Sequence, residues 1–443
     1  MSTHRIANIV LTSTNNDLLS DFSEKLSGYN YTVLTCDDAS LENKARTAHP
    51  DLIVVDVSCD NFNGFAAIQK IKSTPETAYI PVVALAAEKT NELYSKSIEV
   101  RADDIFIHSF DIQEFIVHIK TLLRLSTMVM ELERRVELAV SKNIPASKNI
   151  DHQDDTPYKI LLVDPIAGDR AAIESILDGN CTIDVCDNAF DAENMLTDGI
   201  YDVAICHYTK ESHETVLGLC ARVRNNPRLF NLPMLIMGED SVADRMDAYR
   251  HGVTRIVNRP LNLHSLKAKI KMLIRRQRLR WNVRNAIETT HHDKSIDAAT
   301  KAYTKAFFED NLSQQIENAQ KWQKHLAVIF FSIPNITEIQ NQFGREASQH
   351  LLQQIFQWVS GLSRIEDMVA RYGDHEFAIA LPDTPINEAQ IVMHRIAGIL
   401  SYTDFAVADV YQPISVWVES GLATLELGDD RDILIKRARQ NIQ

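Results

Sequence analysis

Two stretches carry residue types suited to chemistry. Arg364-Ile365-Glu366-Asp367 sets a guanidinium three residues before a carboxylate. A guanidinium offers paired donors to a phosphate and a flat face for stacking, and a carboxylate accepts from an N–H edge. The plainer alternative is a surface salt bridge between the two side chains. Further along, Arg371-Tyr372-Gly373-Asp374-His375-Glu376-Phe377 gathers a glycine, two acids and a histidine between apolar runs. A third feature is Asp56, an acid that closes the apolar run Asp51–Asp56.

These residues need elements to hold them. Short apolar runs recur at Ile9–Leu11, Asp51–Asp56, Ile80–Leu85 and Asp104–Ile107. The order repeats at Lys159–Asp164, Asp202–His207, Leu232–Met237 and Arg255–Pro260. Continuous apolar runs separated by helical patterns predict parallel strands buried on both faces. Each segment therefore reads as a βα-alternating, doubly wound domain, whose ligands sit at the C-terminal strand ends. That puts Asp56 and His207 at equivalent positions. In the last third, Leu326–Phe331 predicts a strand and Ile336–Phe343 and Ala347–Leu362 predict helices. Met368–Tyr372 and Phe377–Leu381 predict a hairpin around the tight turn.

Composition narrows the classes. Of 443 residues, 45% are apolar and 24% charged, which excludes a disordered or disulfide-dense chain. With 46 Lys and Arg against 60 Asp and Glu, the net charge is −14, so the chain as a whole is a poor nucleic-acid binder. No apolar stretch approaches the roughly 18 residues that span a bilayer, and the N-terminus lacks a signal-peptide pattern. The expectation is a soluble, cytoplasmic protein. Cys36, Cys59, Cys181, Cys186, Cys206 and Cys220 lack metal-ligand spacing and are expected to be reduced, buried thiols.

Residues 4–125 and 157–276 each resemble the receiver domains of bacterial response regulators. The resemblance implies an acidic Mg²⁺ pair after the first strand, a phosphoacceptor Asp, a Thr or Ser, and a Lys before a Pro. The first segment keeps the acceptor, Asp56, as the phosphorylation candidate. Thr12 and Ser13 replace its acidic pair, Ala86 the Thr, and His108-Ser109 the Lys-Pro. The second segment keeps Asp164 beside Pro165, has His207 at the acceptor position, Gly238 at the Thr position and Arg259 before Pro260. Imidazole cannot form an acyl phosphate, so this copy is expected to act as a scaffold.

Residues 126–142 read as an amphipathic helix continuing the first segment, and 143–156 as a polar connector. Arg275, Arg276, Arg278 and Arg280 form a basic run, expected on a solvated linker helix. His291 and His292 read as linker polar residues.

Residues 297–443 resemble the GGDEF domain of diguanylate cyclases, and Arg371–Phe377 aligns with its RYGGDEF signature. Two receivers before a GGDEF domain is the arrangement of PleD-type response regulators. At the positions where the resemblance implies metal-binding acids stand Ser332 and His375, with Pro334 beyond the first. Asp374 replaces the glycine that lets backbone approach the GTP phosphates. Gln340 and Gln349 stand for a guanine-contacting Asn and a later Asp, leaving Glu376 of the acidic set. Arg364 and Asp367, with five residues between Asp367 and Gly373, match the family's RxxD site for cyclic di-GMP, and Arg395 matches its further arginine.

The resulting expectation is an α/β multidomain chain: two flavodoxin-like (βα)5 receiver domains at 1–125 and 157–276, linkers at 126–156 and 277–296, and an α+β nucleotide-cyclase-like GGDEF domain at 297–443. It is read as a non-enzyme without catalytic or metal residues, a receptor holding cyclic di-GMP at Arg364, Asp367 and Arg395. Resemblance to PopA-type effectors implies a homodimer recruited to a cell pole, where it delivers a protein adaptor for regulated proteolysis to ClpXP. The alternatives are a phosphorylation-gated scaffold acting through Asp56 and a weak cyclase using Glu376.

Overall fold

Runs such as Leu-Ile-Val-Val and Val-Val-Ala-Leu favour extended backbone, and their lack of polar faces demands burial on both sides. In the computed structural model they become the cores of two parallel sheets. The structure describes residues 5–59, 63–108, 110–147, 156–226, 228–239, 244–407 and 410–442. Ser109 and most of the connector before residue 156 lie outside them.

The first sheet comprises β1 (Asn8–Thr12), β2 (Thr32–Cys36), β3 (Leu52–Asp56), β4 (Val82–Ala86) and β5 (Asp104–Ile107), in the order β2-β1-β3-β4-β5. The second comprises β6 (Tyr158–Val163), β7 (Cys181–Cys186), β8 (Val203–Tyr208), β9 (Met234–Gly238) and β10 (Arg255–Asn258), in the same sense of order, β7-β6-β8-β9-β10. All pairings in both are parallel. This is the flavodoxin-like order, with a crevice where the winding reverses. Helix starts are fixed locally: Asn15 accepts from the Asp17 and Leu18 amides at 3.0 and 3.1 Å.

Chain contacts define two units, one of residues 7–126 with 150–282, the other of residues 1–6, 127–149 and 283–443. The first unit contains both parallel sheets. There the basic run departs from expectation. It lies on the Leu263–Glu288 helix, and Arg276, Arg278 and Arg280 are buried rather than solvated. Arg278 donates to both Asp202 oxygens at 2.9 and 3.0 Å, and Arg276 donates to Thr121 at 2.7 Å. Asp104 pairs with Arg255 and lies 3.8 Å from Arg276. Buried carboxylates at the strand starts draw these guanidiniums inward. Burial pushes the Arg276 guanidinium down to about 10, with Arg255 adding to the effect.

The second unit is built on a mixed sheet ordered β11-β13-β14-β12-β15, from β11 (Tyr303–Thr304), β12 (Leu326–Ser332), β13 (Met368–Arg371), β14 (Glu376–Pro382) and β15 (Glu419–Thr424). β13 and β14 form the antiparallel hairpin around Gly373. One face of the sheet carries Ile329, Phe331, Phe377 and Ile379 against the Arg345–Leu362 and Ile386–Ser401 helices. The other buries Phe330 and Ala378 under the Lys305–Trp322 helix. The end of the Ile112–Ser141 helix belongs to this unit, with Leu138 and Ala139 in its core.

The six cysteines are free thiols, but Cys59 and Cys181 are partly exposed rather than buried. Among the described residues no helix is long and apolar enough to cross a membrane.

Candidate functional site

The Arg364–Asp367 turn links the Arg345–Leu362 helix to β13. Asp367 is 5% exposed, and its Oδ2 accepts from the Arg364 amide at 2.7 Å. The carboxylate therefore closes its own turn, instead of meeting the Arg364 guanidinium as a surface ion pair would. That guanidinium instead lies 3.2 Å from Glu388 and 3.5 Å from the Thr384 hydroxyl. Burial opposes its charge, but Asp367, Glu366 and Glu388 outweigh that and hold Arg364 above its ordinary value. Arg395, from the same helix as Glu388, donates to the Leu362 carbonyl at 2.7 Å. Arg364, Asp367 and Arg395 thus meet along one seam between the turn and the Ile386–Ser401 helix.

Behind the turn stands Arg135. It is 2% exposed and donates to the Glu366 and Asp367 carbonyls at 2.8 and 3.0 Å. Its Nε donates to Glu131 at 2.9 Å, and Glu131 also accepts from Gln315 at 3.1 Å. Neither Arg135 nor Glu388 stood out in the sequence, because their partners are far away along the chain.

The signature hairpin closes through the Tyr372 amide on the Glu376 carbonyl at 2.9 Å. An added Cβ at Gly373 would come within 3.1 Å of the Glu376 carboxylate, which would have to shift slightly. Glu376 lies opposite Ser332 in register, and both its oxygens accept from Arg439, at 2.8 and 3.0 Å. A cavity of about 610 Å³ opens here, lined by Ser332, Glu376, Glu419, Asp432, Lys436 and Arg439 among others. Gln340 lies on the Ile336–Phe343 helix and Gln349 on the next one. Glu376 is thus engaged by Arg439, and among the described residues no group of three potential metal ligands occurs.

At the first sheet, Asp56 is 2% exposed. Its Oδ2 accepts from Ser13 at 2.6 Å and its Oδ1 from the Ser58 amide at 3.0 Å. His108 Nε2 lies 3.4 Å from Oδ1. Ser13 and His108, which stand at the acidic-pair and Lys positions, therefore contact the acid directly. At the second sheet, Arg259 turns to Asp169 and donates to both its oxygens at 2.7 Å. Gly238 leaves room for the Tyr208 carbonyl, which a Cβ would meet at 2.5 Å.

With this geometry in hand, the chain can be set beside known proteins. The receiver-domain family, "Response regulator receiver domain", matches residues 12–120. The family "Diguanylate cyclase, GGDEF domain" matches residues 294–443. The chain thus carries a receiver domain and a GGDEF domain, both of α/β fold. More particularly, it is PleD-like: the response regulator PleD of Caulobacter vibrioides is 25% identical over 422 residues, 94% of this chain and 92% of that protein. The diguanylate cyclase TpbB of Pseudomonas aeruginosa is 34% identical over 90 residues, 20% of this chain and 21% of that one. Among solved structures, the GGDEF domain of DgcB from Caulobacter crescentus, in complex with c-di-GMP, is 17% identical with a TM-score of 0.33, covering 34% of this chain and 85% of that one.

These matches overturn the expectation that the chain is not an enzyme. Its GGDEF domain is homologous to diguanylate cyclases, which points to a cyclase. The expectation rested on acids counted within the signature and the Leu326–Phe331 strand. It left out Glu419 and Asp432, which β15 and the last helix bring to the same cavity.

Proposed function

We propose that this PleD-like response regulator reads cyclic di-GMP through its GGDEF domain, as a receptor that recruits protein partners. Arg364 and Arg395 would contact the phosphates and stack on guanine, and Asp367 would hold the turn that presents them. The supporting observation is their meeting along one seam, on a turn braced from behind by buried Arg135. Guanidiniums suit this ligand because they bind phosphate in a bidentate fork and stack on flat bases. The two flavodoxin-like sheets, at 1–125 and 157–276, would serve as two receiver domains, the second without phosphorylation chemistry. They would form the platform of a homodimer that docks an adaptor for regulated proteolysis. Ligand would bias that platform through its differential affinity for two arrangements. Calorimetric titration with cyclic di-GMP tests the reading. Low-micromolar or tighter binding, weakened at least tenfold by Arg364→Ala, is expected. Absence of binding by the wild type would overturn it.

A second reading is supported by the cavity at Glu376 and the homology to cyclases: GTP turnover in the same domain. Turnover of GTP by the wild type, lost in Glu376→Ala, would establish it alongside ligand binding.

A further inference from the structure

The unit that holds both parallel sheets contains a cleft of about 280 Å³. Its lining includes the cations Lys72, Arg101, Lys271, Arg275 and Arg278, with Asp103 as the acid. Two of the five cations are neutralised. Lys72 lies 2.6 Å from Asp103, and Arg278 is bound by Asp202. Arg275 donates only to the Ala102 and Ile98 carbonyls, both at 3.4 Å. Among the described residues, Arg101, Lys271 and Arg275 form no ion pair.

Exposed Arg101 and the half-buried Lys271 and Arg275 thus bring three unneutralised cations to one cavity, in a chain of net charge −14. Burial pushes Lys271 below its ordinary value, with Lys267 adding to it, and burial does the same to Arg275 against the pull of Asp103. A bound anion would relieve both. Two aromatic rings complete the walls, Tyr79 and Tyr158, and the Arg278 guanidinium lies over the second at 4.8 Å. The volume is near the lower end of small-molecule sites.

We propose that this cleft binds a small phosphate-bearing ligand of mononucleotide size. Arg101, Lys271 and Arg275 take the phosphate, and the tyrosine walls take a flat base. The site is independent of the cyclic di-GMP reading and uses none of its residues. The test is titration of the full chain at low salt with GMP and, separately, with inorganic pyrophosphate. The variants are Arg101→Gln/Lys271→Gln, which changes two solvent-reaching side chains, and Arg364→Ala. Saturable binding weakened at least tenfold by the double substitution, and unchanged by Arg364→Ala, is expected. GMP binding more tightly than pyrophosphate supports a nucleotide ligand, and equal binding supports recognition of phosphate alone. No saturable binding of either probe, or binding lost with Arg364→Ala and kept in the double variant, would overturn the proposal.

Discussion

The Arg135 guanidinium reaches across 232 residues of sequence to the carbonyl of Asp367, 3.0 Å away. It shares its buried partner, Glu131, with Arg134 on the same helix, so one carboxylate holds two guanidiniums. A side chain distant in sequence thereby fixes the backbone of the turn that presents Arg364. Removing Arg135 takes one of the two partners from Glu131 and leaves the buried Glu366 and Asp367 carbonyls without this donor, at about 1–3 kcal/mol for each unsatisfied group. Arg135→Met should therefore lower the melting temperature, and the double variant Arg135→Met/Glu131→Gln should recover part of the loss. Both should weaken cyclic di-GMP binding, because the turn is released. Unchanged affinity in a folded double variant would show that the turn holds its shape without Arg135.

Glu388 competes for the Arg364 guanidinium. The pair is exposed, with Glu388 47% accessible, so its worth is only about 0–1 kcal/mol. Glu388→Gln should leave stability nearly unchanged and tighten cyclic di-GMP binding by up to about fivefold. Calorimetry on the two proteins side by side checks this, and weaker binding would mean that Glu388 helps to orient the arginine.

Ser13 gives Asp56 one of its hydrogen bonds, at 2.6 Å. A bond to a charged acceptor is worth about 1.5–3 kcal/mol. Ser13→Ala should lose about that much in urea denaturation. Asp56→Asn keeps an acceptor for Ser13, so it should cost less. Cyclic di-GMP affinity should be the same in both variants. If beryllofluoride alters assembly of the wild type and not of Asp56→Asn, phosphorylation of the first receiver would be an input of its own.

His118 sits between the Phe106 and Tyr249 rings. Burial drives its pKa well below 6.5, and Arg255, Arg276, Lys269 and Arg245 reinforce the shift, with Glu114 the acid facing it at 4.0 Å. A group whose folded pKa is depressed stabilises fully above its unfolded pKa. That contribution is lost as pH falls toward the folded value. Stability should thus drop from this residue as pH falls through the unfolded value of about 6.5. His118→Phe, which keeps the ring, should flatten that part of the profile. An identical slope in the variant would assign the loss to other groups.

Much of the architecture was legible because its signals are local. β3, β4, β8 and β9 are apolar on both faces and read directly as buried strands. The signature hairpin read directly too, since a glycine turn between two apolar runs leaves few other choices. β2, β7 and β15 were not recognised, because they lie at sheet edges and their patterns mix buried with solvated residues. At the candidate site, Arg364, Asp367 and Arg395 are proposed from their motif. The buried role of Asp367, the Arg135 brace, the Glu376–Arg439 pair and the pairing of the basic run were not legible. The last three depend on contacts between residues far apart in the chain, which spacing does not encode.

Asp367 spends its carboxylate on the amide of Arg364. On the proposed reading the four-residue motif divides its labour: one side chain would read a ligand, and the other keeps the turn upright. Scanning substitutions that weigh the two alike would confuse loss of recognition with loss of posture. Asp367→Asn, which still accepts from that amide, should spare the turn that Asp367→Ala collapses. Comparing the two would separate a broken support from a missing contact.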